Sequence, residues 1–314
     1  MPETVGYGSE VAEVTERAAG GATARRTQGW AQLRVVLEMI KFEHTLFALP
    51  FALMGMLLAA GGVPEGRTVL WIVVAMVGAR SAAMGWNRLV DREIDAANPR
   101  TATRALPAGL VTPGFVAFFV VASLALLLVA AWRLNPLCLA LSPVAIVVLL
   151  GYSYTKRFTW AAHLALGLAL AGAPLGAWIA VTGSLAPTPF VLALVVVTWV
   201  AGFDVLYALQ DETFDRARGL ASIPARFGTV AALGISAALH LATLALLAAL
   251  PFVHPPGLGL AYWVGVAGCA LLLAYQHAIV RPGDLSRLNA AFFTANGVLA
   301  LWLLAATATD LFLR

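Results

Sequence analysis

The sequence predicts an all-α, polytopic membrane protein of about nine transmembrane helices bundled around a central cavity. Two observations support this fold class. Hydrophobic residues make up 61% of the 314 residues and charged residues only 11%, and the mean hydropathy is +0.86. These values are far more apolar than those of a soluble domain. The chain also contains nine apolar segments, each close to the length that a helix needs to cross a membrane.

Residues 1–30 are predicted to form a disordered cytosolic tail that precedes a transmembrane domain over residues 31–314. The tail is rich in Gly, Ala, Thr, Glu and Arg and has no apolar run. It therefore has too little apolar surface to fold by itself. It also lacks the continuous apolar region of a cleavable signal peptide.

The predicted helices follow the tail in order. They are placed at about 36–61, 69–87, 113–132, 135–152, 161–182, 188–208, 229–251, 258–280 and 290–312. Glycine and alanine occur throughout these segments, which indicates close helix packing around a central cavity. The polar loops between helices two and three and between helices six and seven are predicted to form a cytosolic cap.

Lysine and arginine positions predict the orientation. Basic residues gather in the N-terminal segment and in the loops after helices two, four, six and eight, whereas the opposite side has only Arg67, Arg133 and Arg314. By the positive-inside rule, the N-terminus and both polar loops are cytoplasmic and the C-terminus is external, in a plasma (inner) membrane. The net charge of +4 is explained by these loops, and no nucleic-acid partner is predicted.

Acidic residues cluster at the cytosolic end of helix two. Five of the seven aspartates lie in only two stretches of the chain. In the first stretch Asn87, Asp91 and Asp95 are spaced i, i+4, i+8, so on one helix they share a face. Like charges at this spacing repel by a few tenths of a kcal/mol, roughly, unless a positive charge lies among them.

A second acidic cluster lies at the end of helix six. Asp204, Asp211 and Asp215 are spaced i, i+7, i+11, again on one helical face. One interpretation is two solvated helix ends. The other is two carboxylate faces that bind Mg²⁺ ions, because Mg²⁺ takes oxygen ligands and typically combines one or two carboxylates with substrate phosphates. Spacing alone leaves both interpretations open.

The two stretches resemble motifs of the UbiA superfamily of intramembrane aromatic prenyltransferases. That family's first motif has the form Asn-x-x-x-Asp-x-x-x-Asp, which Asn87, Asp91 and Asp95 match. Its second motif, Asp-x-x-Tyr-Ala-x-x-Asp-x-x-x-Asp, is matched by Asp204, Tyr207, Ala208, Asp211 and Asp215. Residues 41–50, 104–109, 151–159 and 172–178 are also similar to the family, and the resemblance covers about residues 34–312.

The chain departs from the family pattern at two places. Arg88 follows the first motif's asparagine where many members have aspartate, and Glu212 and Thr213 stand where some members have other charged residues. Neither change affects the implied metal ligands, but both weaken any assignment to a subfamily.

The resemblance implies Mg²⁺-dependent transfer of a polyprenyl group from a polyprenyl diphosphate to an aromatic acceptor at the lipid membrane. The implied metal ligands, on which catalysis depends, are Asn87, Asp91, Asp95, Asp211 and Asp215. An allylic diphosphate ionises only if the charge of the leaving diphosphate is neutralised in a site shielded from water. Arg88, Arg100 and Arg104 are therefore expected to bind the diphosphate, with Arg226 as a further candidate; anchoring at the membrane surface is the alternative role.

The acceptor must be electron-rich, and a phenol attacks through the carbon ortho to its hydroxyl. A ring carboxylate favours a bidentate cationic partner, for which Arg157 beside Lys156 is the best candidate, with Tyr154 nearby. A positive-inside loop explains the same pair. We therefore expect 4-hydroxybenzoate as the acceptor, in ubiquinone biosynthesis, and a naphthoate acceptor of menaquinone biosynthesis is the alternative.

Asp204 is also a candidate catalytic residue. It lies two turns deeper than Asp211 on the same face, where an acid facing lipid is costly, so it is expected to face the cavity. There it polarises the phenol or orients Tyr207. His163 and His44 lie near predicted helix starts and are interpreted as hydrogen-bonded packing residues rather than ligands.

Two other functional classes compete with this interpretation. An ion-coupled transporter also uses intramembrane acids, but these acids gather at cytosolic helix ends among arginines. A CDP-alcohol phosphotransferase also uses aspartates and Mg²⁺, yet its Asp-Gly-x-x-Ala-Arg opening is absent. Prenyl chain length and oligomeric state are left open.

Overall fold

The computed structural model describes residues 29–39 and 45–313. These residues are mostly helical, and the only bridge between extended segments in this part of the chain joins Arg281 and Asp284. The predicted disordered tail falls outside the described residues up to residue 28, as does His44. The predicted boundary after residue 30 falls in the first turn of a helix that begins at Gly29.

The helices are α1 (Gly29–Met39), α2 (Thr45–Ala60), α3 (Gly66–Val90), α4 (Arg92–Ala97), α5 (Pro113–Leu134), α6 (Pro136–Thr155), α7 (Ala162–Thr182), α8 (Pro187–Ala208), α9 (Glu212–Arg218), α10 (Ile223–Phe227), α11 (Thr229–Val253), α12 (Leu260–Ile279) and α13 (Asn296–Phe312). A 3₁₀ turn, Leu209–Asp211, separates α8 from α9, and a π-helical segment, Ala290–Ala295, precedes α13.

Eight segments of the described chain are long and apolar enough to cross a membrane, and α2 is a shorter apolar helix of 16 residues. The predicted helix at 36–61 is described in two pieces, α1 up to Met39 and α2 from Thr45, and residues 40–44 lie outside the described residues. α1 is amphipathic: Val36 and Met39 are buried against the loop that follows α4, while the opposite face is exposed. The period of 3.6 residues thus buries only one face of α1.

The spans form one helical bundle. α3 packs on α5, α8 lies between α7 and α11, and α2 lies between α7 and α13. The approach of α7 to α8 depends on Gly167, because a Cβ atom there would lie 2.6 Å from the carbonyl oxygen of Val197. Small residues permit this backbone contact inside a membrane, where packing and not the hydrophobic effect holds helices together.

A buried polar network fixes the π-helical segment. The Asn296 side chain donates to the carbonyl oxygen of Phe292 and accepts from Trp199 of α8 and from Gln276 of α12. Phe292 in turn stacks on Tyr207, with ring centroids 4.1 Å apart. The network therefore joins α8, α12 and α13 just below the second acidic motif.

The chain path determines which end of the bundle each helix starts from. α3 and α8 both end at the acidic motifs, and residues 61–65 connect α2 to α3 at the opposite end. α2 therefore starts at the motif end, which agrees with the contact of Phe47 with Phe292 at 5.6 Å between ring centroids. α13 starts beside the same phenylalanine and runs to the other end.

Candidate active site

The first acidic motif interrupts its helix. α3 ends at Val90. The residue that follows it, Asp91, has φ −93° and ψ 3°, and the chain resumes helical form as α4. Backbone hydrogen bonds of helical spacing nevertheless run through the motif, from the N–H of Asp91 to the carbonyl oxygen of Asn87 at 2.9 Å and from the N–H of Asp95 to that of Asp91 at 2.7 Å. Nδ2 of Asn87 donates to Oδ2 of Asp91 at 2.9 Å, and Asp95 is on α4.

The second motif breaks in the same manner. α8 ends at Ala208, and Asp211, with φ −103° and ψ 1°, connects the 3₁₀ turn to α9. Asp204, Asp211 and Asp215 thus lie on three successive elements and not on the single helix that the spacing predicts. The middle acid of each motif occupies the sparsely populated bridge region, where active-site residues are often found.

The two motifs meet at Asp211. Nδ2 of Asn98, in the loop after α4, donates to Oδ1 of Asp211 at 3.0 Å. Arg100 forms a fork on the same carboxylate, with Nε 3.0 Å from Oδ1 and Nη2 bonded to Oδ2. The backbone N–H of Arg100 also donates to Oδ1 of Asn98 at 3.0 Å. The loop of the first motif is thereby bound to the acid of the second.

Asp91 is held by two cations from the end of α6. Nζ of Lys156 lies 2.7 Å from Oδ2 of Asp91 and Nη2 of Arg157 lies 3.1 Å from Oδ1. Arg157 also donates to the carbonyl oxygens of Val90 at 2.8 Å and Ser153 at 2.9 Å. Both terminal nitrogens of Arg157 are therefore engaged within the protein.

Asp95 has a different environment. Nη1 of Arg104 donates to its Oδ1 at 2.7 Å, and Nη1 of Arg88 lies 3.8 Å from its Oδ2. Oδ2 of Asp95 is buried and accepts no hydrogen bond from any residue that the structure describes. A buried carboxylate oxygen without a donor is costly, so this atom suits a bound cation.

The cations cover the acids. Side-chain exposure is 3% for Asp91, 7% for Asp95 and 16% for Asp211, but 29% for Arg104, 31% for Arg157 and 33% for both Arg100 and Lys156. Removing one partner of a buried ion pair is strongly destabilising, so loss of one of these basic groups should destabilise the site. Burial lowers the pKa of the Arg100 guanidinium, but its hydrogen bonds to Asp211 and its electrostatic attraction to Asp211 and nearby groups together raise the pKa above its ordinary value.

The remaining predicted residues lie around this centre. Arg100 lies over the ring of Tyr207, 5.6 Å from its centroid, and Arg157 lies 5.5 Å from the ring centroid of Tyr154. Asp215 is on the first turn of α9. Arg226 is exposed on α10, and in residues 45–313 it makes no ion pair.

Among the described residues the side chain of Asp204 bonds to His163 and not to Tyr207, whose orientation was one of the two roles expected for it. Its Oδ2 lies 2.7 Å from Nδ1 of His163, at the start of α7. His163 is buried and also accepts a hydrogen bond from the backbone N–H of Ile223.

Three residues near the site were missed by the sequence interpretation. Asn98 and Ser153 carry no signal in the sequence, because short polar side chains are common in loops and helix ends. Arg80 does have one: it is an arginine inside an apolar span, which marks a functional position. It is partly buried in α3, and it lies seven residues before Asn87 and so on the same helical face.

The acids suit metal ions that arrive with a phosphorylated ligand. Within residues 29–39 and 45–313, no three His, Cys, Asp or Glu side chains gather into a closed metal site. Mg²⁺ does not need such a site, since it retains waters and binds one or two carboxylates plus substrate phosphates. The donor atoms are hard oxygens, and Oδ2 of Asp95 is without a hydrogen-bond donor.

Comparison with known proteins identifies the family of the chain. The UbiA prenyltransferase family matches residues 48–304. The chain is 35% identical over 278 residues to the 4-hydroxybenzoate octaprenyltransferase of Vibrio cholerae, covering 88% of this chain and 95% of that protein. It is 34% identical over 254 residues to the protein of the same name from Aeromonas salmonicida, covering 80% of this chain and 86% of that protein.

Two solved structures are also similar. A UbiA homolog from Aeropyrum pernix K1, solved in its apo form, has a TM-score of 0.76 and 33% identity, covering 86% of this chain and 98% of that one. A UbiA homolog from Archaeoglobus fulgidus bound to GPP and Mg²⁺ has a TM-score of 0.70 and 19% identity, covering 88% and 99% of the two chains.

Proposed function

The chain belongs to the UbiA prenyltransferase family, and we propose that it transfers a polyprenyl group from a polyprenyl diphosphate to 4-hydroxybenzoate, at the carbon ortho to the hydroxyl. The observation that carries this proposal is the meeting of both acidic motifs at Asp211, through Asn98 and Arg100. The relatives named 4-hydroxybenzoate octaprenyltransferase align over most of the chain and support the choice of acceptor.

The carboxylates are proposed to hold Mg²⁺ with the diphosphate. The proposed ligands are Asn87, Asp91, Asp95, Asp211 and Asp215. When bound, Mg²⁺ supplies positive charge that stabilises the leaving diphosphate. The solved homolog with bound GPP and Mg²⁺ supports this assignment through its shared fold.

The basic side chains are proposed to bind the diphosphate oxygens directly. Arg100, Arg104 and Lys156 are about one-third exposed and lie outside the acids they pair with. Arg88 is more deeply placed, beside Asp95. Fixed positive groups in a site that excludes water stabilise charge that develops on the leaving group.

The reaction replaces one bond with another. The bond between the allylic carbon and the diphosphate oxygen breaks, and both bonding electrons leave with the diphosphate. The ring carbon ortho to the hydroxyl attacks the allylic carbon, and the new C–C bond forms. Asp204, about one-quarter exposed, is proposed to accept the hydroxyl proton of the phenol, which makes the ring carbon more nucleophilic. The attacked ring carbon then gives its proton to the released diphosphate, and Asp204 returns the hydroxyl proton to the phenol oxygen.

The carboxylate of the acceptor needs a cation, and two arginines are candidates. Arg157, the residue expected from the sequence, already donates to Asp91, Val90 and Ser153. Arg80 lies two turns before Asn87 on the face of α3 that carries the first motif. We assign the carboxylate to Arg80, because an arginine within an apolar span marks a functional position, and we assign Arg157 to support of Asp91.

The protein is an integral membrane protein, and its orientation is part of the proposal. The acidic motifs and the start of α2 lie at one end of the bundle, and α13 finishes at the other. Basic loops flank the motif end, so we place the N-terminus and the active site in the cytoplasm and the C-terminus outside, in the plasma (inner) membrane.

The test is an assay in reconstituted vesicles with a labelled polyprenyl diphosphate and Mg²⁺. Each of two acceptors is supplied separately: 4-hydroxybenzoate, and a dihydroxynaphthoate. We expect label in the 4-hydroxybenzoate product and equimolar diphosphate release. Transfer to the naphthoate alone contradicts the proposal that 4-hydroxybenzoate is the acceptor. No transfer to either aromatic compound contradicts the proposed prenyltransferase activity.

A further inference from the structure

We infer that His163 is a positioning residue for Asp204, and that it ties this acid to the loop after the second motif. The inference rests on the proposed role of Asp204 as proton acceptor. Its basis is a chain of two hydrogen bonds: Nδ1 of His163 lies 2.7 Å from Oδ2 of Asp204, and the backbone N–H of Ile223 donates to Nε2 of His163 at 3.2 Å.

These contacts determine which nitrogen of the imidazole carries the proton. A backbone N–H can only donate, so Nε2 must accept and cannot bear a proton. A neutral imidazole has one donor nitrogen and one acceptor nitrogen, so the proton is on Nδ1. Nδ1 therefore donates to Asp204, whose carboxylate is the acceptor. The tautomer is set by the hydrogen bond on the other nitrogen.

Exposure shows which member of the pair can touch a substrate. The His163 side chain is 5% exposed and that of Asp204 is 23% exposed. Among the described residues, Asp204 makes no other hydrogen bond, so Oδ1 is left for a ligand. His163 thus lies behind Asp204, and Asp204 presents its second oxygen to the site.

The hydrogen bond to Ile223 connects this pair to the loop between α9 and α10. Ile223 is 1% exposed, and two residues earlier the N–H of Ala221 donates to the carbonyl oxygen of Lys156 at 2.7 Å. Lys156 holds Asp91 of the first motif. The loop therefore binds both the cation that holds Asp91 and the histidine that orients Asp204, which links acceptor activation to the diphosphate site.

The test compares His163→Gln with His163→Leu in the reconstituted full-length protein. A glutamine amide can donate from Nε2 to Asp204 and accept at Oε1 from Ile223, whereas leucine offers neither group. Positioned acid–base groups contribute about 10² to 10⁴ in rate. We expect kcat to fall at least about tenfold in His163→Leu and to recover in His163→Gln, with the KM for polyprenyl diphosphate unchanged in both.

His277→Leu is the matched control. His277 forms a histidine pair with His240 inside the bundle, 2.9 Å between ring nitrogens, and does not contact Asp204. Like His163→Leu, His277→Leu removes an imidazole that forms a hydrogen bond. The unfolding temperature of His277→Leu therefore measures how much stability such a loss costs without any effect on Asp204. We expect its kcat to match that of the unmodified protein.

Two results overturn the inference. One is an unchanged kcat in His163→Leu. The other is an equal loss in both His163 variants that follows the unfolding temperature, as it would for a packing residue. Failure of the proposed function has a different signature, because the unmodified protein then transfers no prenyl group to 4-hydroxybenzoate. A protein that is active with its natural histidine and equally active with leucine rejects only the inference.

Discussion

Asn98 and Asp211 are 113 positions apart in the chain, and their side chains form a hydrogen bond of 3.0 Å. Asn98 uses its other side-chain atom, Oδ1, to accept from the backbone N–H of Arg100, whose guanidinium binds the same aspartate. One amide therefore sets the position of both Asp211 and the arginine that covers it. No charged group can take its place without disturbing one of these contacts.

Substitution of Asn98 tests this relationship. Hydrogen bonds to charged groups contribute about 1.5 to 3 kcal/mol, so we expect Asn98→Ala to lower kcat/KM for polyprenyl diphosphate roughly tenfold to hundredfold. Asn98→Asp should be worse than alanine, because it retains the acceptor for Arg100 but places a second carboxylate against Asp211. Steady-state kinetics in vesicles measure both variants.

Asn135→Ala is the control for Asn98. Asn135 also makes a bifunctional contact, accepting from the N–H of Cys138 and donating to the carbonyl oxygen of Ile179. Asn135 caps α6 at the end of the bundle opposite the acids. Asn135→Ala should therefore lower the stability of the protein with little change in the KM for polyprenyl diphosphate. If Asn98→Asp keeps a higher kcat/KM for polyprenyl diphosphate than Asn98→Ala, the contact of Asn98 with Asp211 does not have the proposed role.

The sequence predicted the spans well, because composition alone requires apolar helices in a membrane and the motifs lie at the span ends. It did not predict the breaks at Asp91 and Asp211, since neither a proline nor a glycine marks them. The spacing of the acids suggested two continuous helical faces. At these breaks Asp91 binds Lys156 and Asp211 binds Arg100, and contacts between distant residues leave no periodic signal in a single sequence.

Metal dependence is the second prediction. We expect EDTA to abolish prenyl transfer and Mg²⁺ to restore it, because the carboxylates need a divalent cation to hold the diphosphate. Asp91→Ala and Asp211→Ala should both lose activity, as should Asp91→Asn and Asp211→Asn, which keep the side-chain shape. Asp284→Ala is the control, since Asp284 is an exposed loop residue that bonds to Ser286. Full activity in EDTA would show that prenyl transfer does not require a divalent metal ion.

The third prediction uses two glycines of α7. A Cβ at Gly167 would lie 2.6 Å from the carbonyl oxygen of Val197, whereas a Cβ at Gly172 would meet no atom within 4 Å. We expect Gly167→Ala to destabilise the protein by about 1 to 3 kcal/mol through overpacking. Gly172→Ala should be neutral or stabilising by up to about 1 kcal/mol, because alanine favours the helix. Thermal unfolding in detergent measures both, and equal effects would contradict the close approach of α7 to α8.

The fourth prediction concerns orientation and depends on α2. With 16 residues and a rise of about 1.5 Å per residue, α2 is shorter than the hydrocarbon layer of about 30 Å. If α2 crosses the membrane, the N-terminus and the active site are both on the cytoplasmic side and the C-terminus is external. We expect a reporter fused after residue 314 to be active only outside the cytoplasm. A cytoplasmic signal there, with a cytoplasmic N-terminus, would mean that α2 does not cross.

The last prediction separates the two arginines proposed for the acceptor carboxylate. Arg80→Ala should raise the KM for 4-hydroxybenzoate by a factor that corresponds to about 1.5 to 3 kcal/mol, the strength of a hydrogen bond to a charged group, and should leave the KM for polyprenyl diphosphate nearly unchanged. Arg80→Lys should recover little, because lysine offers a point charge and not two parallel donors. Arg133→Ala, which removes an arginine that lies over Trp71 and Trp132 far from the motifs, is the control.

Arg157→Ala has a different expected signature. Arg157 donates to Asp91 and to two backbone carbonyl oxygens, so its loss disturbs a residue proposed to hold the diphosphate. The KM for polyprenyl diphosphate should therefore rise, and the KM for the acceptor should change less. The opposite pattern is a selective rise in the acceptor KM in Arg157→Ala and none in Arg80→Ala. It would indicate that Arg157 binds the carboxylate of the acceptor. A phenol that lacks the carboxylate serves as a further acceptor. If Arg80 binds the carboxylate, Arg80→Ala should not raise the KM for this phenol.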